Sequence, residues 1–141
     1  MTSIILVDDN IWFRVRIRTL LDAQPDLNVV AEAAGGEEAF KLVDEFHPDI
    51  LITDLEMPGQ NGFRLIEQVH QRSPETRSIV LSSYGSKSYL KKAIQAGASG
   101  YLMKDPFWED LVPAIRTVLK NGRYYSPSLD VQKSEFSDNG D

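Results

Sequence analysis

The chain has 141 residues and a formal net charge of −6. That length fits one domain with an ordinary core, and the acidic balance leads us to expect no nucleic-acid binding by this chain alone. The absence of cysteine excludes disulfides and thiolate metal sites. No apolar run approaches the roughly 20 residues of a membrane span, and the first residues lack a signal-peptide pattern. We therefore expect a cytoplasmic protein without a membrane contact.

Five short apolar runs alternate with segments of helical periodicity. The runs are residues 3–7, 28–33, 50–53, 78–81 and 100–103, and the helical segments are residues 11–23, 37–46, 62–72, 87–96 and 107–121. Near-continuous aliphatic runs are typical of strands buried on both faces of a parallel sheet. The alternation predicts βαβ units, hence an α/β fold with a doubly wound, five-stranded parallel sheet.

The end of the chain contains two irregular features. Pro113 falls inside the last helical segment, where a proline removes a backbone donor and costs about 3 kcal/mol. We expect either a kink there or a helix that begins close to Pro113. Residues 126–141 are polar and acidic, and we interpret them as a disordered tail or the start of a linker. The folded domain is then expected to span residues 1–125.

Polar side chains come directly after four of the five apolar runs. Asp8 and Asp9 follow the first run, Asp54 the third, Ser82 the fourth and Lys104 the fifth. Ligands of open α/β sheets bind beyond the carboxyl ends of the strands. Three carboxylates in one place need a counter-charge, and Mg²⁺ with oxygen ligands supplies it. With an ammonium and a hydroxyl added, the site suits attack by a carboxylate on phosphorus.

These residues stand in four motifs that resemble the receiver domains of two-component response regulators. The motifs are residues 5–9 (ILVDD), 54–62 (DLEMPGQNG), 80–82 (VLS) and 96–104 (AGASGYLMK). The resemblance implies a flavodoxin-like fold with strand order 2-1-3-4-5. Residues 104–105 and 121–127 (NGRYYSP) resemble the subfamily in which the receiver precedes a LuxR-type helix-turn-helix.

The resemblance also implies roles for the charged residues. Asp54 is the phosphoacceptor, and Lys104 pairs with the phosphoryl group. Asp9 ligates Mg²⁺ directly, and Asp8 acts on the metal through water. Asp54 and the backbone carbonyl of Glu56 complete the ligands.

A second group of residues is expected to respond to phosphorylation of Asp54. By resemblance, Ser82 hydrogen-bonds the phosphoryl group, and Tyr101 is an aromatic switch whose ring turns inward as the loop after Ser82 moves. Glu56 and Tyr84 are expected to tune the lifetime of the phosphoryl group. Phosphorylation would then remodel the face made by the fourth helix, the fifth strand and the fifth helix.

The implied function is that of a phosphorylation-dependent signal receiver rather than an enzyme, with only self-catalysed phosphotransfer and dephosphorylation. The implied partner is a sensor histidine kinase or a phosphotransfer protein, and homodimer formation on phosphorylation is one expected outcome. We expect the regulatory domain of a transcriptional regulator, with a DNA-binding domain outside these residues. A stand-alone receiver that acts through protein contacts is the alternative.

Other interpretations stay open at this point. An aspartyl phosphohydrolase carries an acid two residues after its nucleophile, and Glu56 has that offset, although Asp8 and Asp9 have no place in that pattern. A receiver-like domain that binds partners without phosphorylation is a third option. Taken singly, Asp54 could be a turn residue, and Ser82 a loop hydroxyl beside Ser83.

Overall fold

Six parallel strands form one sheet in the computed structural model, which describes residues 1–57 and 61–126. The strands are β1 (Thr2–Val7), β2 (Leu27–Ala33), β3 (Ile50–Thr53), β4 (Arg77–Ser82), β5 (Gly100–Met103) and β6 (Tyr124–Tyr125). Their order is β2-β1-β3-β4-β5-β6. The predicted fold and strand order are confirmed, and the two-residue β6 adds a sixth strand to the five predicted.

Five helices cover the two faces of the sheet. They are α1 (Ile11–Asp22), α2 (Gly36–Phe46), α3 (Gly62–Arg72), α4 (Lys87–Ala96) and α5 (Leu111–Leu119). The side chains of Asn10, Asn61 and Ser86 cap α1, α3 and α4 by accepting hydrogen bonds from backbone amides in the first turn. Such caps satisfy donors that the helix itself leaves unpaired, which fixes where each helix begins.

The last helix is shorter than predicted at both ends. It begins at Leu111, so Pro113 is its third residue and lies in the first turn. The first amides of a helix have no partner within it, so a proline there removes no intrahelical hydrogen bond. Before the helix, the Asp110 and Leu111 amides both donate to the Phe107 carbonyl, at 3.2 and 3.0 Å. Of the two options that Pro113 allowed, a helix that begins close to Pro113 is therefore the one observed.

The central strands are buried on both faces, which explains their continuous aliphatic sequence. In β1, Ile4 and Leu6 pack in one cluster with residues of α1 and α5. Ile5 and Val7 pack in a second cluster on the other face, with residues of α2 and α3. All four side chains are at most 2% exposed. Such two-sided burial fixes the register of the strand and, with it, the position of the residues that follow.

In residues 1–57 and 61–126, none of the helices is both long enough and apolar enough to cross a bilayer. The predicted tail of residues 126–141 lies outside the described residues, except for Ser126.

Candidate functional site

The hydrogen bonding of the sheet continues one residue beyond three of its strands. The amide of Asp8 donates to the carbonyl of Ala33 at 3.1 Å, and that of Asp54 donates to Val7 at 3.0 Å. The amide of Lys104 donates to the carbonyl of Ser82 at 2.9 Å. In each case the last residue of an adjacent strand accepts the hydrogen bond, which fixes the backbone of the polar residue. Because all the strands are parallel, their carboxyl ends lie at one edge, and the side chains converge there.

The ammonium of Lys104 lies between two buried carboxylates. Its Nζ is 2.8 Å from Oδ2 of Asp8 and 3.0 Å from Oδ2 of Asp54. The other oxygen of Asp54, Oδ1, accepts a hydrogen bond from the amide of Leu55 at 2.7 Å. The Asp54 carboxylate therefore has one oxygen held by the backbone and one directed toward the charged cluster.

Asp9 completes a group of three acids at this edge. Carboxylate oxygens of Asp8, Asp9 and Asp54 lie within 4.8 Å of one another. Asp8 and Asp54 are buried, whereas Asp9 is exposed. One lysine does not neutralise three carboxylates, and oxygen ligands at this spacing are the kind that Mg²⁺ prefers. The donor set of Asp8, Asp9 and Asp54 therefore fits a hard divalent cation.

Burial and charge shift the proton equilibria of this pair. Burial raises the pKa of the Asp8 carboxyl above its usual value, and hydrogen bonds from Lys104 and from the Asn10 amide offset part of that rise. Burial also disfavours the charged form of Lys104, but its hydrogen bonds to Asp8 and Asp54 outweigh that effect and raise its pKa. The ammonium therefore stays protonated at neutral pH and remains available to an anionic group.

Ser82 and Ser83, at the end of β4, differ in their exposure to solvent. Ser82 is completely buried, and its Oγ accepts a hydrogen bond from the amide of Tyr84 at 2.9 Å. Ser83 is exposed. Since Ser82 ends the strand next to β3 and β5, it lies at the same sheet edge as the acids and Lys104.

Tyr101 lies inside the protein in this structure. Its side chain is 1% exposed, and its hydroxyl donates to the backbone carbonyl of Tyr84. Burial raises the pKa of Tyr101 to about 12. The resemblance implies a ring that turns inward on phosphorylation, but the ring is already inward in this structure. The carbonyl of Tyr84 gives the buried hydroxyl the acceptor that it needs, which favours this inward position.

Glu56 contacts an aromatic group that sequence analysis did not include in the site. The hydroxyl of Tyr89, on α4, donates to Oε2 of Glu56 at 3.3 Å. The Tyr89 ring also packs against Tyr84 and Phe63, with centroids 5.5 and 5.8 Å away. The two expected tuning residues, Glu56 and Tyr84, thus share Tyr89 as a neighbour. A tyrosine on a helix surface carries no sequence signal for such a contact.

Two residues of α1 also reach the site, and both were missed. The ring centroid of Phe13 lies 4.7 Å from Nζ of Lys104. The guanidinium of Arg14 donates to the backbone carbonyl of Asp8, and its Nε is 2.9 Å from the Glu32 carboxylate. The helical periodicity of residues 11–23 is consistent with Phe13 as an ordinary core position. Periodicity gives the face of a helix but not the partner that a side chain meets there.

An open cleft adjoins the acids. It has a volume of about 900 Å³ and is lined by residues of the loop before α2, of α2 itself and of the start of α3, together with Asp9. Both charges are represented in its lining, with Glu37 and Glu38 opposed by Lys41 and Arg64. The cleft gives solvent and small molecules a route to the exposed acid of the cluster.

Comparison with known proteins agrees with this geometry. A family model described as the response regulator receiver domain matches residues 4–116. The transcriptional regulatory protein DegU of Brevibacillus brevis is 34% identical over 127 residues, which are 90% of this chain and 54% of that protein. The nitrate/nitrite response regulator protein NarL of Escherichia coli (strain K12) is 35% identical over 127 residues, 90% of this chain and 59% of that protein. The chain thus spans little more than half the length of these curated relatives.

Solved structures give the same result. A two-component response regulator of the LuxR family from Aurantimonas sp. SI85-9A1 superimposes with a TM-score of 0.88 at 34% identity, covering 99% of this chain and 97% of that one. The receiver domain of the putative response regulator NarL from Mycobacterium tuberculosis has a TM-score of 0.80 at 29% identity, covering 84% and 96%. The chain therefore belongs to the response regulator receiver domain family and is related to LuxR-family response regulators.

Proposed function

We propose that Asp54 accepts a phosphoryl group in a Mg²⁺-dependent reaction. The observation that carries this proposal is the placement of Lys104 between Asp8 and Asp54, with the exposed Asp9 beside them. Three carboxylates and one ammonium leave negative charge for a divalent cation to balance, and the ammonium is positioned to meet an incoming anionic group.

The chain's residues divide the chemistry among them. Oδ2 of Asp54 attacks phosphorus, the bond to the leaving group of the donor breaks, and that group departs with the electron pair. The product is an acyl phosphate on Asp54. Asp9, Asp8 through water, Asp54 and the backbone carbonyl of Glu56 would hold Mg²⁺. Bound Mg²⁺ supplies the positive charge that allows an anionic donor to approach the acids.

Lys104 and Ser82 respond to the new charge. A phosphoryl group adds about −1.5 to −2 charge by analogy with phosphoserine. The ammonium of Lys104 exchanges its bond with Asp54 Oδ2 for one with a phosphoryl oxygen. The Ser82 hydroxyl, which accepts from the Tyr84 amide, still has its own proton to donate to the phosphoryl group. Movement of Ser82 then carries Tyr84 and the ring of Tyr101 with it.

The partners follow from the chemistry of a receiver. The family implies a sensor histidine kinase as the phosphodonor, and a phosphotransfer protein is the alternative donor. DegU and NarL are named as regulators, and both proteins are longer than this chain. We propose that this domain regulates a transcriptional output in the same way, that DNA contacts belong to another domain, and that phosphorylation favours a homodimer. Membership of the receiver family favours a signalling domain over the phosphohydrolase that the offset of Glu56 had left open.

Intact-mass spectrometry tests the proposal. The parent protein, incubated with acetyl phosphate and Mg²⁺, should gain one phosphoryl group, and chelation of the metal should prevent the gain. Asp54→Asn should gain none. Asp22→Asn, which removes an exposed carboxylate at the end of α1, is the matched control and should be labelled like the parent. Undiminished labelling of Asp54→Asn would overturn the assignment.

A further inference from the structure

An aromatic ring, that of Phe13, lies beside the ammonium of Lys104 at the proposed phosphorylation site. Nζ of Lys104 lies 4.7 Å from the ring centroid of Phe13, within the range of about 6 Å in which a cation is attracted to the face of a ring. We propose that Phe13 is a positioning residue, whose ring holds the Lys104 ammonium at the phosphorylation site through a cation–π contact. The proposal rests on the role proposed above for Lys104.

The ring itself is held firmly. Phe13 is the third residue of α1, and its amide donates to the side chain of the capping residue Asn10 at 3.2 Å. The ring is 7% exposed and meets the ring of Phe107 edge to face, with the centroids 5.1 Å apart. A cap at one end and an aromatic neighbour at the other leave the ring little freedom. It can therefore serve as a fixed surface against which a flexible lysine is placed.

Lysine needs such a surface at this position. Its four-carbon stem carries about 2 kcal/mol of rotamer entropy, whereas the hydrogen bond from the Lys104 amide to the Ser82 carbonyl fixes only the position of the backbone amide. The anionic partners of its ammonium both change in the proposed reaction, because Asp8 turns to the metal and Asp54 becomes an acyl phosphate. The ring of Phe13 neither binds metal nor exchanges protons. It is the one of these three neighbours that stays the same throughout.

The local environment favours the contact. The side chain of Lys104 is 20% exposed, and a cation–π contact gains strength as the cation loses water. A second cation shares this aromatic pair, since the guanidinium of Arg16 lies 5.7 Å from the Phe13 ring and 5.2 Å from the Phe107 ring. Phe107 is 3% exposed and belongs to the same core cluster. Phe107 is therefore a matched control, because its ring contacts Arg16 whereas the ring of Phe13 contacts Lys104.

Progressive fluorination separates the cation–π contact from plain packing. Phenylalanines with an increasing number of ring fluorines are incorporated at position 13 of the full chain, and each fluorine weakens the negative face of the ring with little change in size. The rate of phosphorylation by acetyl phosphate with saturating Mg²⁺ should fall step by step, by roughly three- to tenfold over the series. The same series at position 107 should leave the rate within a factor of about two.

A second readout does not depend on phosphorylation. In the metal-free protein, the ε-methylene protons of Lys104 should show an upfield ring-current shift by NMR. Phe13→Leu should abolish that shift, and Phe107→Leu should preserve it. If the parent is not labelled by acetyl phosphate, the proposed function fails, whereas the ring-current result still decides whether the contact exists. An unshifted Lys104, a flat rate series at position 13, or an equal fall at position 107 would overturn the proposal.

Discussion

The hydroxyl of Tyr101 donates a hydrogen bond to the backbone carbonyl of Tyr84. The amide of the same residue, Tyr84, donates to Oγ of Ser82 at 2.9 Å. The backbone of Tyr84 thus joins the Ser82 hydroxyl, proposed to meet the phosphoryl group, with the Tyr101 ring, proposed to act as the switch. The ring of Tyr101 and the loop after β4 should therefore move together rather than independently.

Removing the Tyr101 hydroxyl should break this coupling without removing the chemistry. We expect Tyr101→Phe to be phosphorylated at a rate within about twofold of the parent, because the hydroxyl touches none of the acids. Beryllofluoride, a phosphoryl mimic, should cause smaller changes in the backbone NMR chemical shifts of β5 and the start of α4 than it does in the parent. Tyr124→Phe removes a hydroxyl bonded to Asp110 instead and should keep the full changes. Identical responses of the two variants would show that the Tyr84 link carries no signal.

Alkaline pH should weaken the fold through two tyrosines. Burial raises the pKa of Tyr101 to about 12, and burial together with the hydrogen bond to Asp110 raises the pKa of Tyr124 to about 12. The unfolded chain loses these phenol protons near pH 10, before the folded chain does. The stability that they contribute is fully present below pH 10 and is lost as pH rises toward 12.

Urea denaturation at pH 9 and pH 11 measures this effect. The free energy of unfolding of the parent should fall between the two values, and Tyr101→Phe should show a smaller fall. Because that variant also loses a hydrogen bond at both pH values, the comparison uses the difference between pH values and not the stability itself. An equal fall in the parent and in Tyr101→Phe would contradict the expected linkage.

Metal binding should depend more on Asp9 than on Asp8. The Asp8 carboxylate is ion-paired with Lys104 at 2.8 Å, whereas Asp9 is exposed and adjoins the open cleft. We expect Asp9→Asn to weaken Mg²⁺ binding by at least about tenfold and by more than Asp8→Asn does, since Mg²⁺ must compete with the Lys104 ammonium for the Asp8 carboxylate. Fluorescence of the exposed Trp12, next to the cap of α1, provides the titration signal. A larger loss in Asp8→Asn would reverse the two roles.

Tyr89 should control the lifetime of the phosphoryl group by way of Glu56. Its hydroxyl holds the Glu56 carboxylate at 3.3 Å, so Tyr89→Phe frees that carboxylate to direct water toward the acyl phosphate. We expect dephosphorylation to become a few times faster in Tyr89→Phe. In a Glu56→Gln background the same change should have little effect, because contacting residues are not additive. Equal acceleration in both backgrounds would mean that Tyr89 acts by another route.

Much of the fold and part of the site could be predicted from the sequence. The aliphatic run from Ile4 to Val7 reveals a strand buried on both faces, and the polar residues after the strands converge because parallel strands end at one edge. Lys104 beside Asp54 is a consequence of that topology alone. Contacts that depend on side-chain direction could not be predicted in this way. Phe13 beneath Lys104 is an example, because its helical position is equally that of an ordinary core residue.

Two other differences have a similar physical origin. The sixth strand is two residues long, too short for a periodic pattern, and its existence depends on pairing of Tyr125 with Tyr101. The late start of α5, at Leu111 rather than residue 107, depends on the turn closed by the Phe107 carbonyl, which no periodicity encodes. The inward position of Tyr101 depends on a backbone acceptor from another loop. Each is a tertiary contact rather than a local preference.

The most direct test locates the phosphoryl group chemically. The protein is treated with acetyl phosphate and Mg²⁺, and borohydride then reduces the acyl phosphate, so that the modified aspartate becomes homoserine. Peptide mapping by mass spectrometry should find homoserine at position 54, and omission of Mg²⁺ should remove it. Homoserine at Asp8 or Asp9, or its absence from a parent protein that is folded and loaded with Mg²⁺, would contradict the account.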